Sequence, residues 1–227
     1  MVDFSSIPVV SYVFFAIFIL VSLIHLLFCY EENELWRKIT KPMCVGSLLV
    51  AVICYIPQYP LVYVGLACGL LGDIFLLKKH KVWPFVLGMI SFLINHILNI
   101  IQYIILSGAT HYSYYVATGV GVALLVLFGY RVCNKIVRTK PLAFGGDVYL
   151  CSLVYELTWA IICCARGRFD FLFLGVLGGI CFIISDIYLA YTSFVSNKKR
   201  RDFYIMATYL LAQTLIALGF CFTLMAA

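Results

Sequence analysis

The sequence predicts an all-α membrane protein of eight transmembrane helices, built as two parallel four-helix repeats with both termini on the non-cytoplasmic side. Three observations predict it. Of the 227 residues, 64% are hydrophobic and 11% charged, with a mean hydropathy of +1.06, so water cannot solvate most of the chain. Lysines and arginines fall on alternate connections between the apolar runs, and two short motifs recur four runs apart. Residues 1–227 then form a single transmembrane helical domain, with internal halves at approximately 1–106 and 112–227 and no length left for a soluble domain.

About 20 apolar residues cross a hydrocarbon core. Apolar runs between charged or proline-containing breaks give the spans 9–30, 43–56, 61–77, 84–106, 112–130, 147–165, 170–194 and 203–225. The first follows a segment with Asp3 and no Lys or Arg, and it is too long and wrongly flanked for a cleaved signal peptide, so it is expected to stay. The second is short. Pro57 and Pro60 close its connection to the third, which leaves a re-entrant or strongly tilted hairpin open for this pair. Of the ten cysteines, Cys54, Cys68, Cys151, Cys163, Cys164, Cys181 and Cys221 lie inside apolar runs, and no C-x-x-C occurs. They read as small hydrophobes rather than as a disulfide framework or a metal site.

The net charge of +6 carries no nucleic-acid signal, because the basic residues sit between apolar runs and act on topology. Arg37, Lys38 and Lys41 lie in 31–42; Lys78, Lys79 and Lys81 in 78–83; Arg131, Lys135, Arg138 and Lys140 in 131–146; and Lys198, Lys199, Arg200 and Arg201 in 195–202. The termini and the segments 57–60, 107–111 and 166–169 hold Arg166 and Arg168 alone, a split of fourteen against two. This alternation argues for eight true crossings. A repeat supports the count: Thr40-Lys41-Pro42 with Gly46 returns as Thr139-Lys140-Pro141 with Gly145, and Asp73-Ile74-Phe75-Leu76 as Asp186-Ile187-Tyr188-Leu189.

Ionised carboxylates at mid-depth cost roughly 2.5–3.5 kcal/mol on insertion scales, so the polar residues inside the spans are the candidates for function. The acids are Asp73, Asp186 and Glu156, the imidazoles His25 and His96, and the amides Asn95, Asn99, Gln102 and Gln213. Gly65, Gly69 and Gly72 precede Asp73, and Gly175, Gly178 and Gly179 precede Asp186. Such small-residue faces let helices pack closely, and they are expected to bring the third and seventh spans together with their carboxylates at similar depth. Buried, hydrogen-bonded acids in ordinary helix packing are the alternative. For Gln213 glue between helices is the leading reading, Glu156 stands evenly between site and structure, and His25, with no close polar neighbour in sequence, reads as structural.

Taken in order, Lys41-Pro42, Gly72-Asp73, Gly88, Phe92-x-x-x-His96, Ser185-Asp186 with Ala190, and Tyr209-x-x-x-Gln213 resemble the lysoplasmalogenase family, often called YhhN-like, from about residue 41 to 216. The resemblance implies an integral-membrane hydrolase that cleaves the vinyl ether bond of lysoplasmalogens, releasing a fatty aldehyde and glycerophosphoethanolamine or glycerophosphocholine. It maps the family's paired intramembrane aspartates onto Asp73 and Asp186, as catalytic residues, and its histidine onto His96. His96, Asn95, Glu156, Tyr209 and Gln213 are then expected to bind substrate or water. Asn95 and Asn99 stand where the family more usually shows a small and an aromatic residue, and Glu156 where an apolar residue, often Met, is usual, so this site is more polar than the pattern.

The chemistry stands without the name. A vinyl ether hydrolyses by protonation of its β-carbon, giving an oxocarbenium ion that water captures, so one acid and one anion suffice. Two carboxylates in low dielectric share one proton between them, the division of labour also seen in glycoside hydrolysis. No cofactor and no metal are needed, and activity is expected to survive chelators. The implied partners are a lysophospholipid substrate and membrane lipids, with no nucleic acid; the sequence names no protein partner. A proton- or cation-coupled transporter using the same acids remains the main alternative, followed by a metal-dependent amide hydrolase, for which one histidine beside the acids is too few ligands, and by a structural or receptor role. The chain is expected to be multi-pass, and the resemblance places it in the endoplasmic reticulum if its source is eukaryotic.

Overall fold

The computed structural model describes residues 7–78, 82–109, 111–136, 140–166, 169–196 and 198–225. Asp3, Lys79, Lys81, Arg138, Thr139 and Arg168, used above for topology and the repeat, lie outside the described residues, as do the side chains of Lys135, Lys140 and Pro141. Among the described residues every regular element is an α-helix: α1 (Val9–Tyr30), α2 (Glu34–Tyr55), α3 (Pro60–Leu76), α4 (Val82–Ser107), α5 (Tyr112–Ile136), α6 (Lys140–Ala165), α7 (Phe169–Phe194) and α8 (Arg201–Met225). Six of them, α1, α2, α4, α6, α7 and α8, are long and apolar enough to cross a membrane. Leu20, Leu23 and Leu27 of α1, Ile105 of α4 and Ile184 of α7 are exposed on the outside of the bundle, where hydrocarbon rather than water suits them. The chain is a multi-pass helical membrane protein.

The second helix departs most from its predicted span. It is continuous for 22 residues and runs through Pro42, so the short segment expected at 43–56 is replaced by a full-length helix. Its polar opening turns forced the difference. Asn33 caps the helix by accepting from the Trp36 N–H at 3.3 Å, and Glu34 sits in the first turn, both favourable at the positive end of the helix dipole. Glu32, at φ 59, turns the chain sharply out of α1, and Phe28 stacks on Trp36 at 5.6 Å across the turn. The sixth helix likewise starts at Lys140, seven residues before its predicted span.

Helices adjacent in sequence pack together within each half: α1 on α2, α2 on α3, α3 on α4, then α5 on α6, α6 on α7 and α7 on α8. Across the halves α4 meets α6, and α8 meets α1 and α2. Exchanging the halves carries the α4–α6 contact into the α8–α2 contact. The glycine faces work as predicted but on different partners. A methyl group at Gly72 would stand 2.7 Å from the Phe92 ring of α4, and one at Gly178 would stand 2.9 Å from the Ala212 carbonyl oxygen of α8. The expected direct packing of the third on the seventh helix is therefore corrected: Gly72 and Gly178 each serve a hairpin neighbour, because short connections make those neighbours adjacent, while Gly175 faces Tyr103 of α4. The third and seventh helices instead face a common cavity.

Candidate active site

The cavity measures about 450 Å³ and is bounded by α2, α3, α4, α6, α7 and α8. Lys41, Asp73, Tyr149, Ser185, Asp186 and Tyr209 contribute its polar groups, and Leu76, Phe85, Met89, Leu150 and Met206 are among the apolar residues that make up most of the rest. Ile187 and Tyr191 of α7 and Val195 just beyond its end also line it and are exposed. The cavity thus reaches the lipid-facing surface beside α7. Its volume lies within the range of pockets that hold drug-sized ligands, about 300–1,000 Å³.

Asp73 is 1% exposed, on the last turns of α3. One of its oxygens lies 3.0 Å from Nζ of Lys41 on α2, and the other accepts from the Tyr209 hydroxyl of α8 at 2.7 Å. Gln213, one turn further along α8, donates from Nε2 to that same hydroxyl at 3.4 Å. Asp186, on α7, accepts from the Tyr149 hydroxyl of α6. Beside it, Ser185 donates to the Ile205 carbonyl of α8 at 3.0 Å, which fixes the rotation of α7 and so aims Asp186. Phe92, Phe182 and Tyr209 meet edge to face with centroids 5.5–6.2 Å apart, a favourable aromatic arrangement that stiffens the floor on which both acids stand.

Behind the floor lies a second polar layer. His96 Nε2 is 3.4 Å from the Tyr149 hydroxyl, its Nδ1 is 2.5 Å from Glu156 Oε2, and Asn99 donates to Glu156 Oε1 at 3.0 Å. The result is a continuous path, Glu156 to His96 to Tyr149 to Asp186. Glu156 and His96 are buried and Tyr149 and Asp186 half-buried, so the inner bonds are made in a medium where leaving them unmade is costly.

Among the residues that the sequence singled out, Asp73, Asp186 and Tyr209 line the cavity, whereas His96, Asn95, Glu156 and Gln213 do not. His96 and Gln213 stand one hydrogen bond behind, on Tyr149 and Tyr209. Glu156 stands behind His96. Asn95 packs against α3, with its oxygen 3.0 Å from where a Gly65 methyl would sit. His25 is not without polar neighbours: its Nδ1 is 2.7 Å from the Thr40 hydroxyl and its Nε2 3.4 Å from Cys29, which ties α1 to α2. The described cysteines form no disulfide among themselves. Among the described residues, no three His, Cys, Asp or Glu side chains converge as a metal site would require.

Two residues of the cavity were missed. Lys41 was counted as a topology charge, yet it reaches down α2 to Asp73. Tyr149 lies inside the predicted sixth span but is a phenol, and the polar candidates were taken from acids, imidazoles and amides; it precedes Glu156 by seven residues, two turns on one helix face, and that spacing was the available signal. Asp147, also missed, is a further buried acid of α6 that does not line the cavity.

No curated protein and no solved structure matches the chain. Comparison with protein families matches residues 36–220, about four fifths of the chain, to the YhhN family. The matched segment contains Lys41, Asp73, His96, Tyr149, Glu156, Asp186 and Tyr209. The chain belongs to the YhhN family, the family of lysoplasmalogenases.

Proposed function

We propose that the protein is an integral-membrane ether hydrolase that cleaves the vinyl ether bond of lysoplasmalogens, giving a fatty aldehyde and glycerophosphoethanolamine or glycerophosphocholine. One observation carries the reading: a mostly apolar cavity, open toward lipid, holds two aspartates, Asp73 buried and Asp186 half-buried, whose partners differ. Membership of the YhhN family supports it. Eight crossings, termini on the non-cytoplasmic side and descent from two four-helix repeats belong to the same proposal, as does residence in the endoplasmic reticulum of a eukaryotic source.

The unlike partners divide the labour. The ion pair with Lys41 and the hydroxyl of Tyr209 hold Asp73 as the carboxylate. Asp186, whose partner is the neutral phenol of Tyr149, carries the proton and is the general acid. Its proton passes to the β-carbon of the vinyl ether, whose π electrons form the new C–H bond, and positive charge spreads over the α-carbon and the ether oxygen. Asp73 stabilises that cation from a fixed position in low dielectric. Water adds to the α-carbon and gives its proton to Asp186, which is thereby restored. The hemiacetal then breaks at the glycerol oxygen, with Asp186 donating to that oxygen and the hemiacetal hydroxyl surrendering its proton to Asp73. Products leave as aldehyde and alcohol, and the spare proton returns to Asp186. Glu156 and His96 orient Tyr149 for these transfers.

The test is turnover by purified protein of a 1-alkenyl lysophospholipid and of its saturated 1-alkyl ether counterpart. Aldehyde should form from the first and nothing from the second, which has no alkene to protonate. Absence of aldehyde, with proton- or cation-coupled uptake in proteoliposomes, would replace the hydrolase by the transporter.

A further inference from the structure

A second, smaller cavity of about 110 Å³ adjoins the first at the end of the bundle that carries the α1–α2 and α7–α8 turns. It shares with the larger cavity Lys41, Leu76, Phe85, Leu189, Ile205 and Met206, so the same side chains face both spaces. Water takes about 30 Å³ per molecule in the liquid; the space therefore suits a small polar group rather than a chain. Arg37, Lys38 and Lys41 line it together with Glu34 and Asp202. Four of these belong to α2 at spacings of three and four, hence on one helix face, with Lys41 one turn deeper than Arg37. Arg37 bridges to Asp202 of α8, and Lys38 lies 3.0 Å from Glu34.

We infer that this vestibule binds the phosphodiester of a zwitterionic lysophospholipid head group, with Arg37 as its main contact and Glu34 and Asp202 facing the ammonium; the inference rests on the hydrolase reading for the identity of the lipid. The order of groups along the protein matches the order along such a lipid. The apolar wall takes the chain, Asp186 and Asp73 take the vinyl ether, and the glycerol spans the turn from Lys41 to Arg37, about 5.4 Å of helix. Lys41 is committed to Asp73. Arg37 uses Nη1 toward Asp202, and a guanidinium has five donors in a fork suited to phosphate. The mixed lining of three cations and two carboxylates favours a zwitterion over a purely anionic head group, for which the two acids would be repulsive.

Binding separates this inference from the chemistry, because it needs no turnover. The full chain in mild detergent is titrated with a non-cleavable 1-alkyl glycerophosphoethanolamine and with the 1-alkylglycerol of the same chain length, and inorganic phosphate is added as a competitor. The wild type should prefer the phosphodiester lipid by about tenfold or more, the worth of one charge-assisted hydrogen bond. Arg37→Gln should reduce that preference at least several-fold. Arg37→Gln with Asp202→Asn, which removes both members of the ion pair, should do the same and covers failure of the single variant to accumulate. Equal affinity of the wild type for both lipids, or a preference unchanged in the double variant, would overturn the inference. Displacement of the phosphodiester lipid by millimolar inorganic phosphate would also overturn it, by making the vestibule an ion site. Loss of aldehyde formation with the head-group preference intact would overturn the hydrolase alone.

Discussion

Replacing Lys41 by Gln tests the link between packing and chemistry at a single contact. The Lys41 ammonium lies 3.0 Å from Asp73, whose side chain is 2% exposed against 16% for the lysine. Removing one partner of a buried ion pair costs about 3–5 kcal/mol when the other stays charged. The partial exposure of Lys41 and the remaining bond from Tyr209 place this case at the lower end, about 3 kcal/mol. Proton uptake by Asp73 limits the loss further, but it removes the anion that the oxocarbenium needs. Thermal midpoints fall about 2–4 °C per kcal/mol in chains of this length, so unfolding in mild detergent should shift down by up to about 6–12 °C. Turnover of an alkenyl lysophospholipid should fall about 10²–10³-fold, the scale of one lost electrostatic contact in a transition state. The double variant Lys41→Gln/Asp73→Asn should recover most of the stability and none of the activity, with a coupling energy of about 1–3 kcal/mol between the two sites. A Lys41→Gln protein with wild-type midpoint and turnover would refute both the ion pair and its part in the mechanism.

Three further outcomes are expected. Tyr149→Phe, which removes the hydroxyl joining Asp186 to His96, should lower kcat about tenfold or more at nearly constant KM; His96→Gln, which keeps a hydrogen-bonding group one step further back, should be milder, and the reverse order in steady-state kinetics would show that Tyr149 is a packing residue. Gly178→Leu should prevent accumulation in membranes, because even a methyl there would stand 2.9 Å from the Ala212 carbonyl oxygen and overpacking against backbone costs about 1–3 kcal/mol or more; normal levels on an immunoblot would remove α7–α8 close packing as the reason for that glycine. Single cysteines introduced at Lys199 and at Gly108 should label from opposite sides of the membrane, and labelling from the same side would break the alternation of crossings.

The helices were legible in the sequence wherever they are apolar to their ends. The predicted starts and stops of α1, α3, α4 and α7 fall within two residues of those in the structure. The openings of α2 and α6 were not legible, because hydropathy equates polar residues with loops. Glu34, Arg37, Lys38 and Lys41 continue the helix while their charges gather at its end and in the vestibule. The same equation hid Lys41 from the site: a lysine read only as a side-of-membrane signal is not asked what it touches. Asp73 and Asp186 were legible as polar residues that an apolar helix has no other reason to carry, whereas Tyr209 entered through the family resemblance alone. What local pattern could not provide was the partner of each small-residue face. Gly72 and Gly178 say that something comes close, and the connection lengths, not the glycines, decide that it is α4 and α8. The polarity of Glu156 was visible in the sequence, but its place behind His96 depends on the α4–α6 contact.

The most direct test of the paired-acid site is turnover of a 1-alkenyl lysophospholipid by purified Asp73→Asn, Asp186→Asn and the double variant, each matched to wild type for yield and thermal midpoint. An amide keeps the shape and hydrogen bonds of the carboxyl but supplies neither proton nor charge, and general acid catalysis alone is worth about 10²–10⁴-fold. Each single variant should therefore fall to about a hundredth of wild-type turnover or lower, and the double should be little worse than either, as expected of groups that act as a unit. A folded single variant that kept more than about a tenth of wild-type turnover would contradict catalysis by the pair Asp73 and Asp186.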